Sequence, residues 1–581
     1  MTAIIVSSGH TSRGVVVSSG SSEVVLSGGA TSGSDVEAGG TEIVSAGGRD
    51  ANATLTGRQL LSRGTAVDDT VSSGGAQYVF AGGTASDTKV FGGGTVRVSN
   101  GGEALGTRVD EGLITVFYGG AASGVEISDG GRDVVLAGGS VTGTRITTGD
   151  EYLQGGVSSE AIVSGGGEER VSSGGSTLGA VLLAGDENVF VGGSASDTDV
   201  DSGGRLYVGG GGTARATVIS AGGEMSVIGN GSAEPATLVV DTTVLSGGKL
   251  IFDKGGSYAL DGSLIESGAS VSVEDSATAS GGIISGDLFV LRATVTDTEV
   301  ASGGEETIEN SSAMSTTVSA GGTQVVLGSG GGQDADSYAT DTAVLSGGRQ
   351  IVETQGVVAD TTVSSGGLLE LLGSINAIYS ATVETGGLLI VSGGNDDDSI
   401  IYGAEFVSAG FAADTVFGIQ TVESGARGAV TIESGGRQVI SAGGTGWADI
   451  LSGGIQTIVS GGSAGVTEKA DNDIVTHPDV IESGGSVVAD AGAVLTNIWF
   501  DGGELDLVGL GFGSAETLSY TSETTGIGKL TVTNGGQSVT LGLYGQYVAA
   551  GFGDASDGHG GTLITYTSAA SASIQLAPKS H

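Results

Sequence analysis

The sequence predicts an all-β chain: an elongated, right-handed β-solenoid (β-helix) of 18–20-residue coils ending in a β-rich C-terminal cap. Three observations carry this. Double glycines recur at a nearly fixed interval, and apolar anchors recur with them. Segment 71–90, VSSGGAQYVFAGGTASDTKV, states the unit, and anchors Val71, Val90, Val109, Ile127 and Ile146 follow at steps of 19, 19, 18 and 19. The series resumes at Val163, Leu182, Val200 and Val218, and again at Val300, Val318, Val344, Val363 and Val383. Within a unit, β-branched residues alternate with polar ones over runs too short for a helix, as in Thr95-Val96-Arg97-Val98. Each run stops at Gly-Gly, whose freedom to take positive φ makes a tight corner.

Taken in chain order, Ala3-Ile4-Ile5-Val6 starts on the repeat phase almost at once. Repeats fill residues 1–497. One coil cannot shield its own inward Val, Ile and Leu, so burial requires neighbouring coils. Three stretches, 229–241, 328–340 and 467–479, interrupt the rhythm and are expected to bulge from corners. From residue 498 the double glycines thin out and aromatics increase, so 498–581 is read as a distinct cap with a role in export and assembly.

Composition excludes several classes. Glycine makes up 114 of 581 residues but proline only 3, which is incompatible with a collagen triple helix. No cysteine is present, so disulfide scaffolds and thiolate metal sites are excluded. A formal charge of −45 repels nucleic acid and anionic membranes. No apolar run approaches the ~20 residues of a transmembrane segment, and the N-terminal sequence shows no Sec signal peptide.

The unit V-x-S-G-G-x-x-x-V-x-x-G-G-x-A-x-x-T-x-V, as it stands at 71–90, resembles the passenger repeats of the "adhesin involved in diffuse adherence" family. The likeness covers most of residues 3–495 through glycine pairs, period and the Thr-x-Val ending. It implies a β-helical passenger at a bacterial surface, O-glycosylated by heptosyltransferases. The sequence departs from that pattern in having neither a leader before the repeats nor a membrane barrel after them. The segment 543–566, with Gly545-Gln546-Tyr547 and Ala555-Ser556-Asp557-Gly558-His559-Gly560-Gly561, looks like the C-termini of large bacterial repeat proteins. That likeness implies type I export through an uncleaved C-terminal signal, and so an extracellular location.

Catalytic chemistry finds little support. The four histidines, His10, His477, His559 and His581, form no metal motif. Gly461-Gly462-Ser463-Ala464-Gly465 matches G-x-S-x-G but lacks the strand–turn–helix that gives the motif meaning. Carboxylate pairs such as Glu168-Glu169 and Asp68-Asp69 have the chemistry of an acid–base couple on a polysaccharide, but pairs are unavoidable among 66 acids. The expectation is therefore no enzyme and no required cofactor.

Three non-catalytic sites are expected. Asp396, Asp397 and Asp398 partly match a calcium β-roll nonapeptide, which makes calcium the one candidate ligand. Ser73, Ser202, Ser246, Ser302, Ser346, Ser365 and Ser452 each precede a glycine pair, so a solenoid stacks them along one edge. They serve there as a hydrogen-bonded ladder or, as the family likeness implies, as an O-glycosylation track. Ala3, Ile4, Ile5 and Val6 offer an open strand edge, and Ser573, Ile574, Gln575, Leu576 and Ala577 alternate like a donor strand. These ends predict self-association head-to-tail. The functional expectation is an acidic structural protein of a bacterial surface or biofilm matrix, polymerising into filaments. The alternative is a monomeric adhesin that binds host or sibling-cell surfaces or glycans through protruding loops, and the minor alternative is a polysaccharide-active β-helix enzyme.

Overall fold

Alternation and glycine corners build the chain coil by coil. The computed structural model describes residues 3–229, 237–260, 262–328, 337–373, 377–470, 473–524 and 526–568. They divide into two compact units, residues 1–299 with 303–306, and residues 300–302 with 307–581.

In the first unit each coil has three short strands. Ala76–Val79, Thr84–Ser86 and Lys89–Val90 form one coil, stacked in parallel register on Thr95–Val98, Glu103–Leu105 and Arg108–Asp110 of the next. Val79 therefore lies over Val98, Ala85 over Ala104 and Val90 over Val109. All six are buried, and such columns are the core. Parallel strands repeat at ~4.8 Å, so like residues stack on like. The anchor series holds with one slip: the buried residue of its coil is Ile219, stacked on Val200, and Val218 is only half-buried.

The corners use two devices. Before the first strand a glycine pair turns the chain, with Gly74 at φ +84°. Between second and third strands a single left-handed residue does so, for example Asp87 (φ 55°) or Gly106 (φ 62°). Asp and Asn tolerate this region because their short polar side chains bond locally.

The second unit begins with the same three-strand coils. From residue 388 the second and third strands merge with their neighbours. Leu388–Ile401 and Ala404–Val416 are single long strands, followed by coils of two strands such as Ile419–Val422 with Arg427–Ile432. The insertions at 229–241 and 328–340 fall largely outside the described residues. The third is an antiparallel hairpin, Val466–Ala470 with Asp473–His477.

Parallel stacking continues to Glu504–Leu507, somewhat beyond residue 498. The free edge of that strand is then covered by Thr562–Tyr566, running antiparallel, which pairs in turn with Phe552–Ser556. A meander of Thr517–Thr524, Ile527–Asn534 and Gln537–Tyr544 completes the C-terminal β cap. Its aromatic cluster centres on Tyr547, whose ring meets Tyr566 at 4.7 Å and whose hydroxyl accepts from Phe500 N at 2.9 Å. The opposite situation holds at the first coil. Among the described residues Ala3–Val6 pairs only with Ser22–Val25, and Ile4, Ile5 and Val16 are exposed by 37, 65 and 54%.

Candidate functional site

The polar interior is the most distinctive site. In the first strand of each coil the second and fourth residues point inward. The fourth is aliphatic, but the second is often Glu, Gln or Asp. Glu23, Glu42, Gln59 and Gln77 follow one another in register through four coils. Asp133, Glu151, Glu169 and Glu187 do so through four more. Gln324 lies over Gln350, and Glu405, Gln420, Gln438 and Gln456 form another run. All are fully buried.

Where amides stack, each donates to the one in the preceding coil. Gln77 Nε2 donates to Gln59 Oε1 at 2.8 Å, Gln438 Nε2 to Gln420 Oε1 at 2.7 Å and Gln456 Nε2 to Gln438 Oε1 at 2.9 Å. The Thr of the Thr-x-Val ending is also inward, and its hydroxyl serves this column. Thr88 donates to Gln77 Oε1 at 3.2 Å, Thr198 to Glu187 Oε2 at 3.2 Å and Thr361 to Gln350 Oε1 at 3.1 Å.

Carboxyls in the same columns are worse provided for. Asp50 and Asp69 join Glu42 near the start of the chain, where Thr31 and Gln59 donate to Asp50 at 2.5 and 2.6 Å. In the next cluster Thr144 and Ser158 reach Glu151 at 3.2 and 3.0 Å, but both oxygens of Asp133 and both of Glu169 lack a donor. Burial pushes these groups up: Glu42 and Glu187 to about 8, with Asp133 and Glu169 well above the usual carboxylate range. Neighbouring acids reinforce the shift, Asp50 on Glu42 and Glu151 on Asp133 and Glu169. A protonated Glu, like a Gln amide, carries a donor on one terminal atom and an acceptor on the other, although the amide has a second N–H to give. That is why the two residues interchange along a column.

Asp396, Glu405 and Asp414 form a third carboxyl group, in which one oxygen from each lies within 4.8 Å of the other two. The expected calcium triad is not assembled. Alternation sends Asp396 inward, leaves Asp397 half-buried on the wall and exposes Asp398 in a left-handed conformation (φ 63°). The signal for the convergent set was an equal nine-residue spacing, 396, 405 and 414.

Alternation also separates the carboxylate pairs considered for catalysis. Glu169 faces inward while Glu168 faces out and binds Arg170. Asp69 is buried and Asp68 exposed. Ser463 sits in a parallel strand under Thr445, not at a nucleophile elbow.

The seven serines all occupy the exposed corner before the positive-φ glycine. No hydrogen bond joins any two of them among the described residues, which corrects the expected hydrogen-bonded ladder. Each hydroxyl instead overlies the corner glycine of the following coil: a Cβ on Gly222 would lie 3.0 Å from Ser202 Oγ, and one on Gly366 2.7 Å from Ser346 Oγ. Ser573 to Ala577, the expected donor strand, lie outside the described residues.

A row of rings marks the outside of the second unit. Phe411 and Trp447 stack at 5.7 Å, Trp447 and His477 at 4.6 Å, and Arg427 lies over the first two rings at 6.0 and 5.4 Å. His477 belongs to the protruding hairpin. Among the described residues no helix is long and apolar enough to cross a membrane.

Stacked parallel coils with buried columns define the chain as a β-solenoid repeat protein. No protein-family model matches it, and no curated protein matches it. Among solved structures it is similar to a TibC-catalyzed hyper-glycosylated TibA fragment, with 26% sequence identity, covering 60% of this chain and 99% of that one. The TM-score is 0.26, too low for the overlay to bear on fold or function.

Proposed function

We propose that the protein is a non-enzymatic structural solenoid of a bacterial surface or extracellular matrix, assembling head-to-tail. The open edge of the first coil carries this reading. Among the described residues, strands 3–6, 11–13 and 16–17 pair with the following coil alone, and the apolar Ile4, Ile5 and Val16 stand exposed beside them. Such an edge accepts a strand from another chain. A heterologous contact of this kind propagates instead of closing. The acidic exterior discourages lateral sheet-to-sheet association, so growth is confined to the ends.

Negative-stain microscopy of the purified protein is expected to show filaments with a regular subunit repeat. Ile5→Lys, which places a charge on the exposed edge, is expected to leave single particles with unchanged circular dichroism. Single particles in the wild-type protein would overturn the assembly reading. A second reading, glycan binding by a monomeric adhesin, is favoured by the Phe411–Arg427–Trp447–His477 row, since half-exposed rings stack on sugar faces. Its test is loss of glycan-array binding in Trp447→Ala.

A further inference from the structure

We propose that Asp396, Glu405 and Asp414 hold a divalent cation of the calcium class inside the solenoid wall. Unlike the column Asp133, Glu151, Glu169 and Glu187, which stacks one carboxyl per coil, these three converge from the two long strands Leu388–Ile401 and Ala404–Val416. Asp396 and Glu405 are wholly buried and Asp414 is 5% exposed. Since the three oxygens lie no more than 4.8 Å apart, a common point exists within about 2.8 Å of each, compatible with the 2.3–2.6 Å of calcium–oxygen bonds.

The surrounding donors do not exhaust the oxygens. Ser399 Oγ donates to Asp396 Oδ1 at 2.6 Å, and Ser399 N to Asp414 Oδ1 at 3.2 Å. Gln420 Nε2 faces Glu405 Oε2 at 2.9 Å and Asp414 Oδ2 at 3.4 Å. Asp396 Oδ2 and Glu405 Oε1 are buried and, among the described residues, receive no hydrogen bond from an amide or hydroxyl, their only polar neighbour being the Asp414 carboxyl. None of the ion pairs among the described residues involves any of the three acids. Three acids enclosed together without a counter-charge repel one another, and a bound cation removes that repulsion at its source.

The donor set selects the ion. It is all oxygen and carboxylate-rich, without imidazole or thiolate, which disfavours zinc and copper. Magnesium keeps several waters, whereas calcium accepts carboxylates in mono- or bidentate form with flexible geometry. Val391, Val407, Ala412 and Val416 of the same two strands are buried, and the polar groups beside the carboxyls, Ser399 and Gln420, are too few to hold a full hydration shell. Asp414 also borders an outer groove lined by Asp398, Thr415, Trp447 and Asp449, an acidic approach for the ion.

The full-length protein, stripped with EDTA and reloaded with calcium against excess magnesium, is compared with Glu405→Gln and Asp397→Asn. Gln is what the same column carries in the next coil, at Gln420. Elemental analysis after dialysis is expected to show one equivalent more calcium in the wild type and in Asp397→Asn than in Glu405→Gln. Calcium is expected to raise the melting temperature of the first two only. Equal calcium in all three would place the ions on the acidic exterior and overturn the site. No retained calcium, with a melting temperature indifferent to calcium and EDTA, would overturn it too and leave protons as the neutralising species. Should Glu405→Gln fail to fold, Asp414→Asn and the wild-type melting shift in calcium against magnesium decide the matter.

Discussion

The melting temperature of the protein is expected to fall steadily as pH rises from about 5 to about 9, the reverse of the usual carboxylate-driven profile. The cause is the column Asp133, Glu151, Glu169 and Glu187. Desolvation raises all four, Glu187 to about 8. The groups facing them are hydroxyls and further acids: Thr144, Ser158, Thr177 and Thr198. A carboxyl with a raised folded pKa keeps its proton where the unfolded chain has released it. Its stabilisation is therefore complete below the ordinary value near 4.5 and is lost as pH climbs to the folded value. Each proton held in excess contributes a slope of about 1.4 kcal/mol per pH unit. Exposed acids have finished titrating by about pH 6 and lysines start near 10, so the difference in slope between wild type and an interior variant over pH 6–9 isolates the interior's share. Thermal scans of Glu169→Gln/Glu187→Gln should show that slope markedly reduced, whereas Glu168→Gln, altered on the outer face one residue away, should retain it. A wild-type profile that is flat or rising over this range would refute the protonated interior.

Gly75→Ala is expected to be far more damaging than Gly74→Asn, although the two glycines are adjacent. Gly74 has φ +84°, and the nearest atom to a Cβ there is Thr56 O at 3.7 Å. Asparagine adopts that conformation at a cost of about 1 kcal/mol. Gly75 has no such backbone requirement. It lies directly against the preceding coil, where a Cβ would sit 2.0 Å from Leu55 O. Relief requires the coils to separate, which breaks the bonds Ser72 N to Leu55 O (2.9 Å) and Ala76 N to Gly57 O (2.8 Å). The expected cost is on the order of 3 kcal/mol or more, the range of overpacked cores. Because each coil touches only its neighbours, hydrogen exchange should locate the loss of protection around residues 55–95. Equal melting temperatures for the two variants would show that the glycine pair is only a turn.

Those two glycines also show how far the sequence could be read. The period and the β alternation made the solenoid legible, since both follow from local geometry that repeats in every coil. Positive φ accounted for the first glycine of the pair. The second is dictated by contact with another coil, which a local pattern does not display. The same limit hid the interior columns. Glu169 and Glu168 are equivalent as letters, and only the phase of alternation decides which is buried. The slip from Val218 to Ile219 has this origin too: two adjacent aliphatics are both plausible anchors until the strand register chooses. Asp396 to Asp398 drew attention as an acidic cluster, but the inward partners of Asp396 lie in the next turn of the chain.

The columns bear on how such a gene can change length. Repeats invite unequal recombination, which adds or deletes whole units. Between Leu206 and Leu288 the column is apolar, Leu206, Met225, Leu250, Val271 and Leu288, all buried. A unit copied or lost there meets the same kind of neighbour it left. Between Asp133 and Glu187, loss of the Glu151 coil instead brings Asp133 directly over Glu169 and removes Ser158, so two buried acids meet with one hydroxyl donor fewer. The buried acids thus act as serial numbers on otherwise interchangeable parts: they fix which repeats must stay together and leave the greasy stretch free to expand or contract across generations.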